Sequence, residues 1–392
     1  MSRSLLSRSV LAGAAVLVLG AAAGCDGGAS GSTPSWTPQP DYQGNIDPNP
    51  QLPNPGIPAP SLPGGQPAPG PSGSSRPSGS PPATDPNVVA TKLDEPTGLV
   101  VLPDGTALVG ERKSGKIFRV QPGSGAPAIK VQQLAGVDGS GDGGLLDLAI
   151  SPTYAQDGLI YAYLSTATDN RVVHFTLGSA PSTVIGGIPH GVSGNTGRIT
   201  FDATGALLIG TGTAGRPALA ASPTSLAGKI LRTDDIGKPQ PDNPVAGSPI
   251  YARGLSSVDG LCVDPQTGLR VAVSGDNIWV LKAGGSYSAA TPSATLPAAA
   301  RGGGGCALAG GQLLVATAAG RSLAVAPISK SGTIGTFNAT LPGAYGRLRT
   351  VVLGTDGAVW LTTRNRDGHG KPIPDDDRVI RITSQDSASP IV

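Results

Sequence analysis

One phrase recurs six times in the last three quarters of this sequence: an apolar strand, a turn rich in Pro, Asp or Gly, and a second apolar strand. A third short apolar segment follows each copy, for example KIFRV after the first and RVIRI after the sixth. The spacings between successive copies are 49, 51, 62, 45 and 45 residues. Three to four short strands repeated at such a period are typical of the blades of a β-propeller. The copies begin at Gly98, Asp147, Arg198, Gly260, Gly305 and Thr350.

The repeats predict an all-β chain that forms a six-bladed β-propeller over residues 88–385. No segment sustains the 3.6-residue apolar period of a core helix. The strand VVATKL, from Val88 to Leu93, precedes the first copy, and we expect it to close the ring by pairing with the last blade. Two packed β-sandwiches are the structural alternative, which six copies in phase disfavour. Residues 386–392 are expected to form a disordered tail.

Residues 1–24 have the composition of an export signal. Arg3 and Arg8 supply positive charge, and residues 9–24 are almost wholly apolar or small. This stretch is short for a transmembrane helix and ends in small residues, as signal peptides do. The Ala-Ala-Gly before Cys25 resembles a bacterial lipobox, in which the Cys sulfur is lipidated. The resemblance implies an exported protein anchored to the outer face of the cell membrane through Cys25, with an ordinary signal peptide and an incidental Cys as the alternative.

Residues 25–87 have a composition that favours a disordered tether. They hold 17 of the 38 prolines of the chain, interleaved with Gly, Ser and Gln. Such a segment lacks the apolar side chains that a core needs, and its prolines favour extended polyproline II conformations. It therefore predicts a spacer that holds the folded domain away from the membrane. A ligand for a proline-binding module is the alternative.

Cys262 and Cys306 are the two cysteines that follow Cys25. Outside the cytoplasm such a pair is more often bridged than free. The repeats place the two in neighbouring units and on opposite strand faces, which meet between packed sheets. We therefore expect a disulfide. No metal site is predicted, because a pair of cysteines and the scattered histidines supply too few ligands.

Several motifs carry a resemblance to a known family. The segment GDGGLLDLAISP, residues 141–152, resembles the GEGGLLGLAxxP signature of the glucose/sorbosone dehydrogenase family. SLAGKILRTDDIGKPQPDNP, residues 225–244, and the segment from Gly346 to Gly370 are similar to later motifs of the same family, in the same order. The resemblance implies a six-bladed propeller related to enzymes that use pyrroloquinoline quinone (PQQ) and calcium to oxidise sugars.

The family's catalytic base is a His in a stretch like IPxGxxHNGGRL. In the matching stretch of this chain, residues 188–199, Gly194 lies where that His belongs, and Gly cannot accept a proton. Thr213 likewise stands where the family has the carboxylate that supports the His. His190, four residues before Gly194, is the remaining candidate base, with a loop His of no special role as the alternative.

Three other residues match the family at positions where it has functional side chains. Arg347 and Arg349 match the paired Arg of the family's last blade, which implies contact with the acidic groups of PQQ. Their i, i+2 spacing predicts side chains on one face of a strand. Pairing with Asp356 or Asp367 is the alternative. Asp142 lies where the family keeps a polar or acidic residue near the substrate.

Several cofactor contacts of the family are changed. Its Arg-Asn pair is Ser256-Ser257 here, and a Lys expected in the fifth blade is Ala319. The stretch that helps hold calcium is reduced to residues 274–277. The acidic run 375–377 shows only part of a calcium loop and is expected to be a solvated turn. PQQ and calcium are therefore cofactors by resemblance alone.

Three functions follow from these residues. The first is a family member that has lost PQQ redox catalysis and binds a sugar, an envelope glycan or an envelope protein. The second is an active PQQ-dependent aldose sugar dehydrogenase with a rearranged site, and the third is an envelope scaffold. His190 inside the channel beside the two arginines would favour the enzyme, and a polar pocket without His would favour binding alone. The formal net charge of +2, from 28 basic and 26 acidic side chains, argues against a nucleic-acid binder.

Overall fold

The computed structural model of the protein describes residues 85–123 and 126–383. The predicted signal peptide, Cys25, nearly all of the predicted tether and the predicted tail lie outside these residues. Within them, the strands form six four-stranded antiparallel sheets arranged as a six-bladed β-propeller. The all-β fold that the repeats predict is thereby confirmed. In the described part of the chain, the helices are too short to cross a membrane.

The sheets follow one another along the chain. The sixth blade combines β1 (Val88–Ala90) with three strands from the end of the described chain, β22 (Leu348–Leu353), β23 (Val359–Thr363) and β24 (Val379–Ile382). Three short helices lie in connections, namely α1 (Tyr154–Asp157) and the 3-10 helices Pro217–Ala220 and Ala298–Ala300. The strands of the other blades, in chain order, are β2 (Pro96–Val101), β3 (Ala107–Glu111), β4 (Lys116–Val120), β5 (Ile129–Gln133); β6 (Leu145–Ile150), β7 (Ile160–Ser165), β8 (Asn170–Phe175), β9 (Ser182–Ile188); β10 (Gly197–Phe201), β11 (Leu207–Thr211), β12 (Lys229–Thr233), β13 (Ile250–Arg253); β14 (Gly260–Val263), β15 (Arg270–Ser274), β16 (Asn277–Val280), β17 (Ala294–Thr295); β18 (Gly303–Ala309), β19 (Gln312–Thr317), β20 (Ser322–Pro327) and β21 (Asn338–Thr340).

The ring is closed by β1, as expected from the sequence. Val88 pairs with Ile380, and Ala90 pairs with Val379, so a strand from the start of the domain completes the last sheet. The tight turns within blades use the residues that the repeats place there. Between β2 and β3, for example, Gly105 has φ +79°, a conformation that Gly adopts without steric cost.

Apolar side chains fill the spaces between blades. In the described residues, buried side chains form six clusters, each drawn from two neighbouring blades. Most members are Val, Leu, Ile and Ala, because both faces of each sheet are covered and the strands pack closely. Trp360 of β23 is the largest fully buried side chain and packs against the first blade.

The first strand of each blade lines the central channel. These inner strands are β2, β6, β10, β14, β18 and β22, and neighbouring ones contact each other around the ring. All of them begin at the same end of the channel, which we call the upper face. Residues at the starts of the inner strands therefore meet there, although they lie far apart in the sequence.

A disulfide joins two of these inner strands. Cys262 of β14 and Cys306 of β18 are bonded, with an S–S distance of 2.08 Å and a Cα–Cα distance of 5.7 Å. It links the fourth and fifth blades. The strands approach closely at this point, since a Cβ atom on Gly260 would lie 2.3 Å from the carbonyl oxygen of Gly304.

The expectation of a solvated turn at residues 375–377 is wrong for two of the three residues. Asp375 is exposed, but Asp376 and Asp377 are 1% and 0% exposed. Asp377 accepts hydrogen bonds from the Thr363 hydroxyl and from the Asn365 backbone N–H. The two carboxylates are buried because they satisfy donors in the connection that follows β23, a need that the acidic composition of the run does not reveal.

Candidate functional site

A charged cavity of about 640 Å³ opens at the upper face of the channel. It is lined by residues at or just before the starts of the inner strands and by the connections after β3 and β23. Six of the described lining residues are Lys or Arg and four are Asp or Glu, so cations are in excess, and an imidazole lies with them. The charged lining residues are Arg112, Lys113, Arg198, Arg349, Arg364, Arg366, Glu95, Asp142, Asp259 and Asp367, with His369 beside them.

The lower part of the channel is different in character. It holds a second cavity of about 620 Å³, lined mainly by aliphatic side chains of the inner strands. Arg198 lines both cavities, and its guanidinium lies 3.4 Å from Asp147 and donates to the Asp259 carbonyl at 2.7 Å. Burial raises the pKa of Asp147, and Arg198 opposes that rise. The Arg198–Asp147 pair therefore divides a polar upper chamber from an apolar lower one.

Arg349 lies within the upper cavity without an acceptor. Its Nε atom is buried and unpaired, and its side chain forms no hydrogen bond or ion pair within the described residues. Burial lowers the pKa of Arg349 well below its ordinary value, and the nearby cations Arg364, Arg198 and Arg112 lower it further. A guanidinium in this position has its charge uncompensated and would be stabilised by an anion.

Arg347 takes a different direction from Arg349. The pairing of β22 with β23 shifts register between Leu348 and Thr350, so the strand bulges at Arg349 and the alternation of faces is interrupted. Arg347 does not line the cavity. Its Nε and a terminal nitrogen donate to Asp367 at 3.1 and 2.9 Å. The expectation that both arginines share one strand face is therefore wrong.

Asp367 forms ion pairs with two arginines at the cavity wall. Arg364 Nε donates to the same carboxylate oxygen as Arg347, at 2.8 Å. Burial opposes ionisation of Asp367, but the hydrogen bonds and charges of Arg347 and Arg364 outweigh it, and the pKa of Asp367 is lowered. The carboxylate therefore stays ionised and fixes both arginines in place.

Asp142 holds the connection that enters the third blade. Its carboxylate accepts hydrogen bonds from the Gly194 N–H at 2.6 Å, the Asn195 N–H at 3.1 Å and the Asn195 side-chain amide at 2.8 Å. Asp142 also lines the cavity, so it combines a structural contact with access to a ligand.

Gly194 occupies a conformation that excludes a side chain. Its φ is +74°, and a Cβ atom would lie 2.7 Å from the backbone nitrogen of Gly215. Its carbonyl oxygen also accepts the Ala214 N–H at 2.9 Å. A His at this position would therefore need the connection to move, and the nearby Thr213 is buried.

The structure does not bring His190 into the cavity. Its Nε2 atom lies 4.0 Å from Asp138 Oδ2 and is buried, with no hydrogen-bond partner in the described chain. Of the predicted site residues, Asp142 and Arg349 line the cavity, whereas Arg347 and His190 do not. The imidazole that lines the cavity belongs to His369, an exposed residue after β23.

The changed family positions make their own contacts. Ser256 lies 3.0 Å from the Ser274 hydroxyl, and Ser257 donates to Asp259 at 2.6 Å. The Ser257 hydroxyl therefore helps to position Asp259 at the cavity wall. No group of three or more His, Cys, Asp or Glu side chains lies close enough to hold a metal ion among residues 85–123 and 126–383.

Sequence reasoning missed several residues of this cavity. Glu95 accepts hydrogen bonds from Arg112 at 2.7 Å and lies 2.5 Å from the Lys113 ammonium. Burial opposes ionisation of Glu95, but these cations outweigh it and its pKa is lowered. Arg364 and His369 come from the last blade. The repeats could have predicted the position of Glu95, because the residues that directly precede each copy lie at the upper face of the channel.

Fold and cavity together define a six-bladed β-propeller with a cation-rich ligand chamber at one end of its channel. A family model described as Glucose / Sorbosone dehydrogenase matches residues 93–288. The PQQ-bound aldose sugar dehydrogenase of Streptomyces coelicolor is 37% identical, with a TM-score of 0.70 over 75% of this chain and 95% of that one. The chain belongs to the glucose/sorbosone dehydrogenase family.

Two further relatives agree with this assignment. A putative oxidoreductase (glucose dehydrogenase) of Thermus thermophilus is 31% identical, with a TM-score of 0.68 over 75% of this chain and 98% of that one. An aldose sugar dehydrogenase of Escherichia coli is 29% identical over 196 residues, which are 45% of this chain and 53% of that protein. The chain spans about half the length of the curated relatives it matches.

Proposed function

We propose that this protein is an exported, lipid-anchored propeller that binds a sugar, an envelope glycan or an envelope protein in its upper cavity and has lost PQQ redox catalysis. The lipid would be attached to Cys25, and residues 25–87 would hold the propeller away from the outer face of the cell membrane. The ligand would enter the cavity at the upper face.

Gly194 carries the proposal. In the family motif this position holds the base that removes the proton from the substrate hydroxyl, and general base catalysis needs a group within hydrogen-bond reach of that proton. Here the position has no side chain, and its backbone conformation leaves no room for one. His190 is directed to Asp138 and does not replace the missing base.

The cavity supports binding. Its volume of about 640 Å³ lies within the usual range of small-ligand sites. Carboxylates such as Asp142 and Asp259 accept hydrogen bonds from hydroxyl groups, and the arginines donate to ring and acid oxygens. An envelope scaffold would have no need of a charged, open chamber.

An active PQQ-dependent aldose sugar dehydrogenase is the second candidate. Two observations favour it, namely the unpaired Arg349 and the imidazole of His369 in the same cavity. Arg349 suits an acidic group of PQQ, which when bound would accept the electrons of a sugar oxidation. The residues fit the charge of PQQ but supply no base at Gly194, so we derive no reaction step from them.

Titration of the purified full chain with PQQ and calcium, followed by dye reduction with a panel of aldoses, tests the loss of catalysis. We expect no aldose-dependent turnover in a folded sample. Turnover that depends on added PQQ would overturn the proposal and would make His369 and His190 the first residues to replace.

Cell fractionation tests the anchor. We expect the chain to sediment with membranes and the Cys25→Ser variant to be released into the soluble fraction. Equal membrane association of the two would contradict a lipid on Cys25.

A further inference from the structure

We infer that the ligand of the upper cavity is an acidic sugar, a pyranose ring that bears a carboxylate, and that Arg349 holds the carboxylate. This inference rests on the proposed function and adds the chemical class of the ligand to it.

Arg349 differs from the other lining cations in having no acceptor. Arg112 and Lys113 pair with Glu95, and Arg198 pairs with Asp147. Arg364 pairs with Asp367, and Arg366 donates to the Asp376 carbonyl at 2.6 Å. In the described chain, the Arg349 side chain alone among these six has no such partner.

A ligand carboxylate would supply the hydrogen-bond acceptor that Arg349 lacks. A cation whose Nε atom is buried without an acceptor is unfavourable, and the forked donors of a guanidinium match the two oxygens of a carboxylate. Arg364, Arg198 and Arg112 are near enough to affect the pKa of Arg349, so the chamber around it already favours negative charge. A neutral sugar would leave this guanidinium unpaired.

The cavity wall at the fourth blade suits hydroxyl groups. Asp259 Oδ2 accepts hydrogen bonds from the Ser257 hydroxyl at 2.6 Å and the Gly275 N–H at 2.9 Å. Its Oδ1 atom accepts none within the described residues, and Asp259 is one of the residues that line the cavity. A sugar hydroxyl is a donor for this oxygen, whereas a second acid group would be repelled. The pairing of one unpartnered cation with an available carboxylate oxygen therefore selects a ligand with both an acid group and hydroxyls.

Such a ring has two sources. It is either a free uronic acid or a uronate residue at the end of a longer glycan, and the shared chemistry is the carboxylated pyranose. The cavity of about 640 Å³ is larger than one ring and leaves space at the upper face for a second.

Isothermal titration of the full chain with glucuronate, glucose and a disaccharide that ends in glucuronate tests the inference. We expect glucuronate to bind at least about 10-fold more tightly than glucose, since a charge-assisted hydrogen bond is at stake. Arg349→Met should weaken glucuronate binding about 10- to 100-fold and bring the glucuronate affinity close to the glucose affinity of the same variant. Tighter binding of the disaccharide would identify a glycan end, and equal binding would identify the free acid.

Arg119→Gln is the matched control. It removes one cation that pairs with Asp104 in the exposed turn after β2 and that does not line the upper cavity. We expect it to leave glucuronate binding unchanged. If Arg349→Met does not fold, Arg349→Lys keeps the charge, removes the fork and should give an intermediate affinity.

The outcomes separate this inference from the proposed function. Equal affinities for glucuronate and glucose, or equal losses in the Arg349 and Arg119 variants, would overturn the inference and leave the loss of catalysis intact. PQQ-dependent turnover of aldoses would overturn the proposed function itself.

Discussion

Asp142 of the second blade and Asn195 of the third are joined through one carboxylate oxygen, which lies 3.1 Å from the Asn195 backbone nitrogen and 2.8 Å from its side-chain amide nitrogen. The other oxygen of Asp142 accepts the Gly194 N–H at 2.6 Å. A side chain at the cavity wall thus fixes the connection in which the family motif places its base.

Asp142→Ala should destabilise the fold by about 1–3 kcal/mol, because three donors lose their acceptor together. Chemical denaturation measures the change. Asp104→Ala removes a carboxylate from an exposed turn and should cost less than about 1 kcal/mol. Equal stabilities for the Asp142 variant and the unaltered chain would show that the connection is held by other contacts.

Gly194→His should not restore a base and should destabilise the chain. The left-handed backbone conformation costs a non-glycine residue about 1–2 kcal/mol, and the clash with Gly215 adds to this. Gly205 provides a matched control, since its φ is +79° but nothing lies within 4 Å of a Cβ atom there. Gly205→His should therefore show the conformational cost alone. A Gly194→His variant no less stable than Gly205→His would refute the steric argument.

The disulfide should contribute about 2–4 kcal/mol of stability, since it closes a loop of 44 residues between Cys262 and Cys306. The double variant with Ser at both positions should unfold at lower denaturant concentration than the unaltered chain. Reductant should lower the stability of the unaltered chain to that of the variant and leave the variant unchanged. Insensitivity of both to reductant would argue against the bond.

Lys229 should give the stability a distinctive pH dependence. Its ammonium donates to three backbone carbonyls, and its burial lowers the pKa to about 8 from an ordinary value of 10.5. Between these two values the unfolded chain binds the proton more tightly, so the free energy of unfolding should rise with pH in that window.

The comparison is with Lys229→Met, whose free energy of unfolding should lack this rise between pH 8 and 10. Above about pH 10 a second group acts in the opposite direction. Burial raises the pKa of Tyr161 to about 12, so Tyr161 loses its proton in the unfolded chain at a lower pH than in the folded one. The free energy of unfolding therefore falls with pH above about pH 10. Parallel pH profiles for the two chains would exclude Lys229 as the source.

The predictable part of the fold is the part that carries apolar periodicity. All six inner strands, their hairpin partners and the third strand of each blade follow from the repeated phrase. The outermost strands do not. Strands β5 and β21, for example, are short and mostly exposed, so their sequences carry too little apolar periodicity to mark them as strands. They form because an edge of an existing sheet is available for pairing.

The cavity was less predictable than the fold. Glu95 and His369 lie 274 positions apart, and only closure of the ring brings them to one chamber. The bulge at Arg349 likewise has no local sequence signal, and it separates two arginines that regular strand geometry would place together. By contrast, the absence of a side chain at Gly194, where the family motif has a His, can be predicted from the sequence alone.

The closure of the ring by β1 also determines how the propeller would respond to mechanical force. The chain that precedes Val88 leads directly into this edge strand, which is three residues long and pairs with β24 alone. Tension applied along that chain would load the bonds between β1 and β24 before it reached any other part of the ring. The pairing of β1 with β24, which completes the fold, would therefore be the first contact between strands to break when force is applied from the amino-terminal side.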